Sequence, residues 1–194
     1  MKILTTLLLS AIVFDSLGQL TNETVEKKLQ IPDLKNSKSE IEIRLFSNAS
    51  LSPVDSYVWI KKVNGTWSAT SYKFVDYSEN NFFELKQIYN DKLKKNWDVQ
   101  IQNLLTRDFS NYLDQSQLRD KLIEDYKSNN GDDSYFMVTD GTGYTLTIKI
   151  GEKVRSFYLH SPSAYSTFFQ KFPELKWYSD ILDVIDKNVK VKLK

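Results

Sequence analysis

The chain has 194 residues, 41% of them hydrophobic and 26% charged, ordinary globular values that exclude intrinsic disorder, a collagen-like repeat and a multi-span membrane protein. Its 26 basic residues against 25 acidic give a formal charge of +1, too weak a field to call for a nucleic-acid partner. With no cysteine and one histidine, disulfides, thiolate metal sites, cysteine nucleophiles and multi-histidine metal centres are closed to it.

Residues 1–18 follow the order of a secretory signal peptide: Lys2, an apolar run over 3–14, then Ser16 and Gly18 as the small residues before Gln19. The apolar run falls well short of the roughly 20 residues a membrane span needs. Cleavage after Gly18 is therefore expected, leaving no membrane span and sending the chain to the periplasm, the cell surface or the medium. Residues 19–39 carry mixed charge and little periodicity, and read as a surface-running N-terminal arm. A single domain is expected over 40–194.

Within it, Ile41, Ile43 and Leu45 alternate with Glu42, Arg44 and Phe46, the pattern of a half-buried strand. Residues 57–63 and 66–75 flank Asn64-Gly65, a strong hairpin signal. Counting outward from the turn sets Ile60 opposite Ala69, Val58 opposite Ser71, Trp59 opposite Thr70 and Tyr57 opposite Tyr72. Both faces of that hairpin carry apolar groups, so both should be covered. Over 82–106, Leu85, Ile88, Tyr89, Leu93, Trp97, Ile101, Leu104 and Leu105 fall at steps of three and four, which predicts an amphipathic helix with a break near Asn96. Asn81 and Glu84 resemble a capping pair at its start. Leu118, Leu122 and Tyr126 mark one short further helix, and 129–134 a polar loop.

Over 135–159 the turn dipeptides Asp140-Gly141 and Gly151-Glu152 divide the chain into a three-strand meander, with Leu146 facing Phe157 and Tyr144 facing Leu159 on the core side. Gly141 is expected to carry a positive φ. Ser161-Pro162 reads as an N-cap with proline at the first helical position, followed by Tyr165, Phe168, Phe169 and Phe172. Pro173 interrupts that helix, and Leu175, Tyr178, Leu182, Ile185 and Val189 line a last one. The fold class is α+β, with antiparallel sheet from the N-terminal hairpin and the C-terminal meander packed by the middle and C-terminal helices. Whether the two strand groups share one sheet is not legible at this level.

Three sets of residues bear on chemistry. His160 stands beside Gly143 by strand count, at the meander end that holds Asp140, so Asp140 and His160 with Ser161, Ser163 or Ser134 sketch a hydrolytic arrangement. No Gly-x-Ser-x-Gly elbow or Ser-x-x-Lys marks any serine as activated, and the expected role of His160 is a surface or capping group. Asp132, Asp133 and Asp140 with Asn129 and Asn130 hold enough oxygens for a calcium ion, but their spacing departs from an EF-hand loop and reads as a solvated acidic loop. Residues 140–143 read as a turn, because no helix follows to receive a phosphate. No cofactor motif is present. Four Trp, eleven Tyr and eleven Phe permit an aromatic binding face.

The stretch Val138-Thr139-Asp140-Gly141-Thr142-Gly143-Tyr144, continued by Arg155-Ser156-Phe157-Tyr158-Leu159-His160-Ser161-Pro162, resembles small uncharacterised exported proteins of Bacteroidetes-type bacteria, as does the Ser-Leu-Gly-Gln signal ending. The resemblance implies an envelope or secreted protein and no particular activity. The expected function is an exported, non-catalytic binding or interaction module of the cell envelope, with a protein, peptide or glycan partner. The alternatives are a hydrolase using Asp140 and His160, and an inhibitor or immunity-type protein.

Overall fold

Asn64 and Gly65 both take left-handed φ, 50° and 73°, the backbone that a two-residue hairpin turn requires to match strand twist. That turn joins β2 (Asp55–Val63) to β3 (Thr66–Tyr77), and it sets Tyr57 on Tyr72, Val58 on Ser71, Trp59 on Thr70 and Ile60 on Ala69, as the turn count predicts. β1 (Ile41–Ala49) pairs antiparallel with β2 on one side and with β5 (Thr142–Ile150) on the other. β6 (Lys153–His160) follows β5 with Leu146 on Phe157 and Tyr144 on Leu159. With β4 (Phe82–Asp91) beside β3, the order is β4-β3-β2-β1-β5-β6 in one antiparallel sheet. The computed structural model describes residues 22–49, 52, 54–77, 82–91, 93, 96–106, 109–130 and 136–189; residues 1–18, expected from the sequence to be a signal peptide, lie outside them.

Alternation gives the sheet two different faces. On one, Ile43, Leu45, Val58, Ile60, Leu146, Ile148, Phe157 and Leu159 pack against α2 (Trp97–Leu105), α3 (Gln115–Asn130) and α5 (Pro173–Asn188). Trp177 of α5 is fully buried there, stacked on Phe109 at 5.7 Å, with its indole N–H donating to the Leu104 carbonyl at 2.9 Å. On the other face, Val25 of α1 (Asn22–Lys28) and Ile31 close over Phe46, Tyr57, Tyr72 and Phe74. The protein is thus an α+β fold whose sheet is covered on both sides of its centre.

The even residues of β1 lie under the arm. Arg44, 1% exposed, donates from Nε to Glu42 Oε1 at 2.8 Å, from one terminal nitrogen to Glu26 of α1 at 2.5 Å, and from the other to the Pro32 carbonyl at 2.6 Å. Glu42, also buried, further accepts from the Trp59 indole at 2.8 Å and from the Ser37 hydroxyl. The Tyr57 hydroxyl donates to the second oxygen of Glu26 at 2.7 Å, and Lys149 of β5 reaches the Ser37 carbonyl at 2.6 Å. A buried charge needs this many partners, since desolvation would otherwise drive it out or neutralise it.

Four expectations change. β1 is buried on both faces, because the arm carries a helix that covers what alternation marks as a solvent side. Residues 82–91 form strand, and the helix begins only at Trp97, with Asn96 at its cap position. A bulge explains the helical spacing: Phe74 pairs with Leu85 but Lys73 with Gln87, so the extra residue Lys86 sets Leu85 and Ile88, three apart, on one face. Glu84 accordingly lies in a strand, and Asn81 is outside the described residues. The C-terminal group supplies two strands, with 136–138 unpaired, because β1 occupies the edge of β5 from Ile41 on Ile150 to Ala49 on Thr142. α3 is a 16-residue helix that includes Asn129 and Asn130, assigned to the loop by sequence pattern.

Burial alone raises the Glu42 carboxyl, but the Ser37 hydroxyl, the Arg44 guanidinium and the Trp59 indole together hold it below its ordinary value. A depressed folded-state value means that ionised Glu42 stabilises the fold above the unfolded value of 4.5, and that this contribution is lost as pH falls through the folded value. Glu42→Gln is expected to lower the melting temperature at neutral pH, with the deficit shrinking as pH falls below 4.5. Melting curves across that range check it, and a deficit that is constant with pH would contradict it.

Candidate functional site

At the end of β6, Phe157 and Leu159 point into the core, so Tyr158 and His160 project from the opposite side of the strand. α3 runs alongside. Its first turn is closed by a reciprocal cap, in which Asp114 Oδ1 accepts from the Gln117 amide at 2.9 Å while the Asp114 amide donates to Gln117 Oε1 at 3.0 Å. Four hydrogen bonds fasten this region to β6 and α5. The Arg155 guanidinium donates to the carbonyls of Ser110 and Tyr112, the His160 amide donates to Gln115 Oε1 at 2.5 Å, and the Tyr178 hydroxyl donates to the Leu113 carbonyl.

Between α3 and the end of β6 lies an open cleft of about 240 Å³. α3 contributes Gln115, Ser116, Arg119, Leu122 and Ile123, one stripe at helical spacing. Tyr158 and His160 come from β6, Phe136 and Met137 from the segment before β5, and Tyr165 from α4 (Pro162–Phe168). Phe136 is held on three sides. It stacks on Phe168 at 4.2 Å and meets Tyr165 and Phe169 edge-on at 5.4 and 5.6 Å. Of the lining residues Met137 is 58% exposed and Tyr158 48%, so the mouth of the cleft offers apolar surface to solvent. Among the described residues, neither the Arg119 guanidinium nor the His160 imidazole has a hydrogen-bond or ion-pair partner.

Asp140 is exposed on a bend, and no hydrogen bond or ion pair joins it to His160. His160 leans instead on Gly141, as does Ser161. A Cβ built on Gly141 would clash with Ser161 Oγ and stand 2.8 Å from His160 Nε2. Gly141 does not have the expected positive φ; the need for glycine is this close approach of two side chains. Positive φ falls on Ser161 itself, at 43°, with Pro162 first in α4 as predicted but no side-chain cap bond from the serine. Ser161 and Ser163 line a separate cavity of about 220 Å³ with Thr142, Tyr144, Asp183 and Asp186. Asp132, Asp133 and Ser134 lie outside the described residues, and no cluster of three metal-ligating side chains occurs among the described ones.

Strand counting thus locates His160, Gly141 and Ser161 but misses Arg119, Gln115 and the aromatic wall, which reach the cleft from other elements. The Asp114-to-Gln117 spacing and the 115, 119, 122 stripe were the available signals. No protein-family signature, curated protein or solved structure matches this chain.

Gly141→Ala is expected to destabilise the protein by about 1–3 kcal/mol through overpacking and to shift the His160 ring resonances. Adding Ser161→Gly, which removes both the clashing oxygen and the left-handed serine, should recover part of the loss. Thermal melts and proton spectra of the two variants check this; an unperturbed Gly141→Ala protein would contradict the packing described.

Proposed function

We propose that the chain is an exported, non-catalytic binding module of the cell envelope, and that its ligand sits in the cleft between α3, the end of β6 and α4. The observation that carries this reading is the convergence of two unpartnered polar groups, Arg119 and His160, on a preformed aromatic-walled cleft. An apolar concavity with few convergent polar groups is the common form of a small-ligand site. Export rests on the signal-like residues 1–18 and on the Ser-Leu-Gly-Gln ending. Among the described residues no helix is long and apolar enough to cross a membrane.

A hydrolytic reading keeps one observation in its favour: the side chains of His160 and Ser161 both approach Gly141, and Ser161 occupies a strained strand-to-helix turn. Against it, Asp140 does not orient the imidazole, and the serine belongs to the neighbouring cavity. Turnover of an activated ester that disappears in both His160→Gln and Ser161→Ala would favour hydrolysis.

The binding reading is tested by titrating a small-molecule fragment collection and following backbone amide shifts. Perturbations are expected to gather on 115–123, 136–137 and 158–165, and Ile123→Trp, which fills the cleft, should abolish them with little change in melting temperature. Fragments that perturb a different surface and ignore Ile123→Trp would overturn the assignment.

A further inference from the structure

Resting on that binding reading, we propose that the cleft takes an apolar carboxylic acid, with the carboxylate on Arg119 and the hydrophobic body against Phe136, Met137 and Tyr165. The charge pattern comes first. Among the described residues no carboxylate lines the cleft, while a guanidinium and an imidazole both do, a pattern that attracts anions and repels amines. Arg119 has no ion-pair partner among the described residues, although α3 carries Asp120, Glu124 and Asp125. Asp125 is committed elsewhere: it is buried, accepts from Asn129 at 3.0 Å and is paired with Lys171. The guanidinium is left to a planar, bidentate acceptor from outside.

The walls then limit what else the ligand can be. Leu122, Ile123, Phe136 and Met137 offer no hydrogen-bonding group to a polyhydroxylated ligand, and the cavity is below the roughly 300–1,000 Å³ of sites for drug-sized molecules. One ring or a short chain fits. A dianion such as a phosphate ester would bring a second charge to a site with a single permanent cation, so one carboxylate is the better match. Tyr158 also lines the cleft, with its hydroxyl over Gly143 of β5 and no hydrogen-bond partner among the described residues. Phe136, fixed by its ring contacts with Phe168, Tyr165 and Phe169, keeps the apolar wall in place before ligand arrives, which lowers the ordering cost of binding.

The test compares three isosteric probes, phenylpropionate, phenylpropanol and phenylpropylamine, titrated against the full mature chain by amide shift mapping. The acid is expected to bind in the cleft about tenfold more tightly than the alcohol, as a charge-assisted pair at a partly exposed arginine allows. Arg119→Gln should bring that ratio close to one without lowering the melting temperature, and Arg119→Lys should restore it in part. If the alcohol or the amine binds the cleft as well as the acid, the carboxylate assignment falls while the cleft remains a binding site. If none of the three perturbs the cleft and Ile123→Trp changes nothing, the underlying binding reading falls with it.

Discussion

Arg44 is a cation on the central strand of a sheet, shut away from water, and it can stay there only because two carboxylates and a carbonyl meet it. Glu42 comes from the same strand, two residues away. Glu26 and the Pro32 carbonyl come from the arm, so satisfying Arg44 and docking the arm are the same event. Removing one partner of such a pair leaves an uncompensated buried charge, a loss of about 3–5 kcal/mol, comparable with much of the net stability of a domain.

The remainder of the architecture hangs from that strand. β1 is the joint between the hairpin side and the C-terminal side of the sheet, and β5 is held along its whole length by β1. β6 depends on β5, and the cleft depends on β6 for Tyr158 and His160. The two sheet edges are then treated differently. β6 is covered by the segment before α3, through Arg155, and by Gln115 at the start of α3, while β4 is an outer strand with no paired neighbour beyond it among the described residues and carries the exposed Glu84–Lys86 pair at 2.5 Å. Charges on an open edge discourage pairing with another chain. The site lies at the covered edge, where helix, strand end and loop converge.

Local chemistry in this chain was legible and non-local chemistry was not. The Asn64-Gly65 turn carries its own backbone geometry, so the register of β2 and β3 could be counted residue by residue, and the same holds for β5 and β6. One bulged residue, Lys86, was enough to make strand β4 imitate a helix, since a period of two with an insertion passes for steps of three and four. Glu42 and Arg44 looked like a solvent face because alternation treats every charge as exposed. It cannot see Glu26, 18 positions before Arg44 in the chain, folding back to pair with the guanidinium that Glu42 also meets. The arm hid its helix because only Val25 in it is fully buried, too little for a visible periodicity. For the site, His160 was placed correctly by strand count, whereas its neighbour Arg119 arrives from a helix 41 positions earlier in the chain.

The decisive measurement is the coupling free energy between Glu26 and Arg44, from a double-mutant cycle of Glu26→Gln and Arg44→Met followed by urea denaturation. If the pair clamps the arm to the central strand, the double variant is less destabilised than the two single variants together, by about 1 kcal/mol or more. Strictly additive losses would mean that the arm and β1 are held independently, and would contradict the dependence of the fold on this one buried contact.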